Sequence, residues 1–467
     1  MVKNKVIILG AGPAGLSAGL ELAKKGYNPV IIDKDSQVGG MSKTLEYKGH
    51  RFDLGPHRFF TKSDEINKLW NDTLGDDFIE VERLTRIYYK QKFFFYPVKL
   101  FDVIKTIGFF QSSLIGLSYF KQKLFPYKNE ETFEKWVINR FGSRLYSMFF
   151  KNYTYKLWGI DPKEISAEWA AQRIKGLSIS SALKAALFSN KGNVKTLIDK
   201  FNYPKYGAGH MYEEKAKRIV EMGGQIKLNE EVQKIIVTKD NTYKVISDKE
   251  EYTTDKMISS IPFTQLFTLL DPKAPEKIIE STKALKYRSI VEVNLILKDH
   301  IDFKDNWIYL HDPNVSALRL VNYKNWGKWM NPAKDSTPIG LEYFCDEDDE
   351  IWNKNDQHLI DLAIDDIETL DFSNKEKLID AFVVRNPKAY PVYFGEYQKH
   401  LDALKKYFTE NLPNAQVIGR YGMYKYNNMD HSIMTGLCAA KNIHKDKDIY
   451  DIWEVNVDQD YHEEKKS

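Results

Sequence analysis

The chain has 467 residues, 43% of them apolar and 13% aromatic, more than one simple core holds, which predicts two or three lobes. Basic side chains number 68 against 65 acids, a net charge of +3, which excludes the clustered basic excess of a nucleic-acid-binding protein. The two cysteines, Cys345 and Cys438, build no disulfide framework and fit a reducing, cytoplasmic compartment. Strand patterning begins by Val6, which leaves no room for a signal peptide. The most apolar uncharged stretch, residues 106–120, is too short to span a bilayer. It reads as a buried helix, with peripheral membrane contact as the lesser alternative.

The first forty residues organise the chain. Val6-Ile7-Ile8-Leu9 reads as a buried strand, followed by Gly10-Ala11-Gly12-Pro13-Ala14-Gly15 and a helix pattern that Gly26 stops. Pro29-Val30-Ile31-Ile32 reads as a second strand and ends on Asp33. This is the dinucleotide-binding fingerprint in its required order of strand, glycine turn, helix, strand and acid. Gly10 makes the turn, Gly12 admits a pyrophosphate, Gly15 lets helix and strand pack, and the helix N-terminus faces the phosphates. Asp33, beside Lys34, stands where a ribose-binding acid belongs. The fingerprint alone does not say which dinucleotide binds.

Residues 1–92 read as the first part of a nucleotide-binding domain. Residues 93–198, opened by Phe93-Phe94-Phe95-Tyr96-Pro97, read as a helical insertion, with helical periodicity over 132–140. Residues 199–262 return to the nucleotide-binding domain through Gly207-Ala208-Gly209-His210-Met211, a helix over 212–222 and alternating strands. Residues 263–400 carry strand patterns such as Ile290 through Leu297 and read as a sheet-based substrate lobe. Residues 401–450 form the last return, with a helix over 401–408 and a final helix starting near Asp430. The tail, 458–467, reads as solvated and mobile. The fold class is α/β: a discontinuous Rossmann-like domain, a helical insertion and a β-sheet lobe.

Gly39-Gly40-Met41-Ser42 follows Asp33, and Phe52-Asp53-Leu54-Gly55-Pro56-His57 follows in turn. This order resembles the flavoprotein superfamily of amine oxidases, protoporphyrinogen oxidases, phytoene desaturases and UDP-galactopyranose mutases. The resemblance implies FAD, with the GG turn against its ribityl-diphosphate portion and the backbone at Val232 facing the adenine. Four patches narrow it: Gly55-Pro56-His57-Arg58-Phe59-Phe60; Leu145-Tyr146 through Trp158-Gly159-Ile160-Asp161-Pro162; Arg173 and Arg319; and Gly419-Arg420 through Asn428-Met429-Asp430. Together they resemble UDP-galactopyranose mutase.

That resemblance implies a redox-neutral interconversion of the pyranose and furanose rings of a nucleotide sugar, for surface glycan synthesis, begun by attack of reduced flavin N5 on the anomeric carbon. It makes Arg173 and Arg319 a diphosphate clamp, a task to which planar, always-charged guanidiniums are suited. Tyr390 and Tyr426 would donate hydroxyls to the same diphosphate, Phe149 and Tyr153 would stack on the base, and Trp158 would flank the sugar. His57 would adjoin the isoalloxazine, to tune it or shuttle a proton. Arg420, Asp430, His431 and Ser432 would contact the flavin near the final helix. An external reductant such as NAD(P)H and a homodimer are also implied, and no metal.

Taken singly, Phe149 and Trp158 read as core, Arg173 and Arg319 as surface pairs, and His57 as a structural histidine. The stretch 175–203 departs from the bacterial mutases, and Asn428 stands where they usually carry an acid. The competing assignment is an FAD-dependent oxidoreductase of the amine oxidase, protoporphyrinogen oxidase or desaturase kind. Its apolar substrates would give paired arginines nothing to neutralise.

Overall fold

The computed structural model describes residues 4–96, 100–167, 200–298, 303–333 and 335–456. Arg173, most of the divergent stretch 175–203 and the tail 458–467 lie outside them. Among the described residues the largest sheets have five, four and seven strands.

The five-stranded sheet is parallel throughout. Its spatial order is Ala415–Val417, Met257–Ser259, Lys5–Leu9 (β1), Asn28–Ile32 (β2) and Gln225–Lys227. Three separated stretches of chain thus meet in one layer. A strand buried on both faces must be apolar at every position, because successive side chains point to opposite sides. In β1, Val6 and Ile8 enter one hydrophobic core, while Ile7 and Leu9 enter the other.

The helix Pro13–Lys24 (α1) starts directly after β1, with proline in its first turn where a missing N–H costs nothing. It is wedged between the sheet and the final helix, Met429–Lys445. Glycine makes both contacts possible: a Cβ on Gly15 would lie 2.0 Å from the Gly10 carbonyl oxygen, and one on Gly436 would lie 2.3 Å from that of Ala14.

The seven-stranded sheet runs Leu378–Pro391, Tyr287–Lys298, Ser336–Cys345, Arg319–Asn322, Trp307–Leu310, Thr85–Tyr89 and Lys92–Phe95. Its last two members correct the expected boundary at residue 92. Phe93 through Phe95 do not open a helical segment. They form a hairpin with Thr85–Tyr89, because Phe94 is fully buried against Ile87 and Phe149 while its neighbours point away. The start at 263 shifts too. Leu270–Asp271 pairs in parallel with Val232–Val237 in the four-stranded sheet, and Phe263, Leu266 and Phe267 fill the core beneath β1. Residues 263–285 therefore pack with the nucleotide-binding part, and the large sheet resumes at Tyr287.

The stretch 106–120 also departs from expectation. It is divided at Gly108 between the helices Leu100–Ile107 and Phe109–Leu124, and the second is not buried. Ile115 alone of its described side chains is fully enclosed, against the helix Phe133–Tyr146 and its neighbours. Among the described residues no helix is long and apolar enough to cross a membrane.

Gly436→Ala should cost about 1–3 kcal/mol, the usual penalty of overpacking, and lower the thermal midpoint of the flavin-free protein. Gly116→Ala, where an added Cβ meets nothing within 4 Å, should leave the midpoint unchanged or slightly raised. Equal melting of the two variants would contradict the tight seating of α1.

Candidate active site

The site is built where the five-stranded sheet meets the large one. Gly10 follows the end of β1, and the Gly39-Gly40 turn closes over the start of α1: the Gly39 N–H donates to the Ala11 carbonyl at 2.9 Å. A Cβ on Gly40 would lie 3.3 Å from the Cα of Gly12, whereas one on Gly12 would meet nothing within 4 Å. Gly12 thus presents open backbone at the N-terminus of α1, where unpaired N–H groups favour an anion. At the end of β2, Asp33 is fixed by the backbone N–H groups of Ala11 (2.6 Å) and Asp35 (2.9 Å). Burial raises its pKa against those bonds.

A cavity of about 780 Å³ opens here. Gly10, Gly12, Pro13, Ala14, Asp33 and Lys34 line it, followed by Gly40, Met41, Ser42 and Val232. The start of the final helix contributes Asp430 and Ser432. His57, Arg319, Tyr390, Arg420 and Tyr426 line the same space. Gly15, Gly39 and His431 do not: Gly15 faces β1, Gly39 sits under the turn, and the His431 Nδ1 accepts the Asn428 N–H as part of the helix cap.

The large sheet delivers its polar groups in a single row. Glu292 stands opposite Glu342, Glu342 opposite Arg319, and Arg319 opposite Tyr309. Directly opposed residues share a face. Arg319 grips Glu342 with a fork, Nε to one oxygen and Nη2 to the other, the latter at 2.8 Å. The carboxylate is 1% exposed. Gly55 makes room for the pair, since a Cβ there would lie 2.4 Å from Glu342 Oε1. Burial, and then the negative charge of Glu342, push the Glu292 carboxyl well above the usual range. Sequence reasoning missed Glu342 and Tyr309. The detectable signal for the first was a lone acid in the apolar run Ile339-Gly340-Leu341-Glu342-Tyr343.

A second polar centre lies at Arg420. Its Nε donates to the Asn427 carbonyl at 2.9 Å, and its guanidinium lies 4.8 Å and 5.0 Å from the ring centres of Tyr390 and Tyr426. The two rings stack at 5.3 Å, so a cation–π contact holds both phenols in place. His57 stands between the two arginines in charge terms. Burial first, then Arg420 and Arg319, push its imidazole down to about 3. This favours a neutral imidazole, which can donate or accept a hydrogen bond. Its Nδ1 is buried with no hydrogen-bond partner among the described residues.

Three aromatics expected at the substrate are placed differently. Phe149 packs in a closed cluster, edge-on to Phe94 at 5.1 Å. Trp158 is buried against Trp136, Val137 and Phe394. Both behave as core, because the helical segment that carries them faces its own aromatic neighbours. Tyr153 lies nearer the site: it stacks on His311 at 4.4 Å and meets Tyr309, a cavity residue, at 5.9 Å. Burial, and then Tyr309, raise its phenol, while Arg319 acts in the opposite sense.

A family model described as flavin containing amine oxidoreductase matches residues 13–444. The chain belongs to this family. It is an FAD-dependent enzyme, and the cavity fits the cofactor: Gly12 leaves space for a pyrophosphate, two helix N-termini face that space, and the His57 Nδ1 awaits a partner. A crystal structure of reduced UDP-galactopyranose mutase superposes with a TM-score of 0.80 at 20% identity, covering 94% of this chain and 95% of that one. A probable UDP-galactopyranose mutase of Klebsiella pneumoniae is 29% identical over 175 residues, 36% of this chain and 44% of that protein. A 1-hydroxycarotenoid 3,4-desaturase of Flavobacterium sp. (strain P99-3) is 40% identical over 88 residues, 18% of each chain. The chain spans less than half the length of these two curated relatives.

Two outcomes follow. Gly12→Ala should keep the stability of the flavin-free protein, since the methyl meets no protein atom, yet lower FAD affinity at least about tenfold, read from bound-flavin absorbance. In the flavin-free protein, the His57 ring ¹⁵N shifts should remain those of a neutral imidazole from pH 8 to pH 5. A titration midpoint near the ordinary value of about 6.5 would contradict the burial described here.

Proposed function

We propose that the protein is a nucleotide-sugar mutase that interconverts hexopyranose and hexofuranose rings with no net oxidation or reduction. One observation carries this reading: Arg319, Arg420, Tyr390, Tyr426 and His57 converge on the cavity that holds the glycine cradle. Guanidiniums and phenols aimed at one space suit a bound, doubly charged diphosphate better than a polyene or a porphyrinogen.

The reduced flavin, when bound, supplies a nucleophilic nitrogen to the anomeric carbon. The chain's own residues do the rest. Glu342 occupies the Nε–H and one Nη2–H of Arg319, which leaves both Nη1–H and the second Nη2–H to hold phosphate oxygens through ring opening. Tyr390 and Tyr426, fixed by Arg420, donate hydroxyls to the same group. Arg173 would supply the second guanidinium. His57, kept neutral, orients by hydrogen bonding and adds no charge. Tyr153 would meet the base, with Phe149 and Trp158 shaping the wall behind it. A nicotinamide nucleotide would reduce the flavin initially.

The experiment incubates the reduced protein with a panel of UDP- and dTDP-hexopyranoses and separates the products. A furanose isomer from one member supports the reading. Reduction of an added acceptor in step with substrate loss, and no isomer, would move the protein to the oxidoreductases. Arg319→Lys should retain FAD but lose about ten- to a hundredfold in kcat/KM, since a point charge cannot replace the planar fork. Lysine is the test because alanine would strand Glu342 as an unpaired buried charge. Glu342→Gln leaves the Arg319 charge without its carboxylate and should lower stability by about 3–5 kcal/mol, while UDP, which supplies a counter-charge, should raise the thermal midpoint of this variant more than that of wild type, as read by calorimetry on the reduced holoprotein.

A further inference from the structure

We propose that the outer face of the helix Phe109–Leu124 seats the protein on an anionic lipid surface, with the helix lying in the plane of the headgroups. The proposal does not depend on the nucleotide-sugar reading.

The helix has two distinct sides. The inner one is fastened to the protein: Ile115 is buried, the Ser118 and Ser143 hydroxyls meet at 3.0 Å, and the Gln122 amide donates to Asn139 at 2.7 Å. The outer one faces solvent, with Phe110 at 72%, Leu117 at 65%, Phe120 at 66% and Leu124 at 74% exposure. On a helical wheel these four occupy one arc of roughly 100° or less, with Ser113 as its one small polar member, and Phe109, 86% exposed, borders it. Phe125 extends the patch beyond the helix end. Isolated exposed apolar side chains are ordinary, but a cluster of large ones on one face marks a contact surface.

Charge selects the occupant. Between Asp102 and Glu130 the sequence holds Lys105, Lys121, Lys123 and Lys128 and no acid. All four lysines are exposed, and Lys121 and Lys123 border the stripe on its two sides. A second copy of this chain would bring the same lysines against them and be repelled. Anionic headgroups would be attracted, and lysine stems reach past an apolar contact to a charged plane. The helix has 16 residues, about 24 Å of length, short of the roughly 30 Å hydrocarbon core. It therefore lies on the bilayer and does not cross it.

The test uses the full, flavin-loaded chain in flotation with vesicles. Wild type should float with vesicles of phosphatidylglycerol and phosphatidylcholine in equal parts, less with phosphatidylcholine alone, and less as salt rises. Phe110→Ser/Leu117→Ser/Phe120→Ser should reduce binding at least about tenfold with FAD absorbance and melting unchanged. Lys121→Gln/Lys123→Gln, which leaves the apolar stripe intact, should abolish the preference for anionic vesicles. The proposal is overturned if wild type fails to float at low salt, or if the triple-serine variant floats as well as wild type. It is equally overturned if ultracentrifugation shows a wild-type dimer that the serine variant converts to monomer, which would give the face to a second copy.

Discussion

A carboxylate as enclosed as that of Glu342 cannot stand alone, and its union with Arg319 is the constraint around which the site is arranged. The pair joins two adjacent strands of the large sheet, so its geometry is set by register and not by a loop. It needs the space that Gly55 leaves, which brings the segment carrying His57 against the sheet. The same segment is held from beneath by Asp53. That side chain is buried and accepts from Thr44 Oγ1 and the Tyr203 hydroxyl at 2.6 Å and from the Ala208 N–H at 3.1 Å, while Tyr323 bonds its carbonyl. Burial holds its carboxyl up at about 7 even with three donors. Residues from 44 to 342 are thus tied into one polar web between the two halves of the molecule. Removing either charge of the central pair would leave the other stranded, at a cost of about 3–5 kcal/mol.

The cofactor side is rigid for a different reason. There the determinant is backbone approach. α1 lies close to β1 at Gly15 and close to the final helix at Gly436, so two helix N-termini are held near one another at the cavity. A flexible cationic side chain could serve an anion as well in energy, but not in position. Backbone N–H groups need no ordering when the ligand arrives. The substrate side adds side chains already immobilised by stacking, with Tyr390 on Tyr426 and Arg420 against both rings. The site as a whole is preorganised for charge, which is the property that a departing diphosphate requires and an apolar substrate does not.

How much of this was legible in the sequence depended on the range of the interactions. The β1–α1–β2 unit was readable because its signals lie within about thirty residues of one another. The motif residues His57, Arg319, Tyr390, Arg420 and Tyr426 were found through resemblance, and the structure brings them to one cavity. Glu342 was missed because its partner is fixed by strand pairing, which no local pattern encodes. Phe149 and Trp158 show the reverse: aromatic residues within a motif, placed by tertiary packing in closed clusters. The hairpin 85–95 and the segment 263–285 went to other layers than expected because short apolar runs do not announce which sheet they join. The exposed helix was misread because hydropathy reports composition and not which face finds a neighbour.

The central claim is that the flavin is needed in its reduced form but is not consumed. Its most direct test counts products per flavin after a single anaerobic photoreduction, with no further donor present, for each member of a panel of UDP- and dTDP-hexopyranoses. The account predicts many isomerised molecules per flavin, with the flavin spectrum still reduced at the end. Turnover that stops after one product per flavin, as the spectrum returns to the oxidised form, would contradict it.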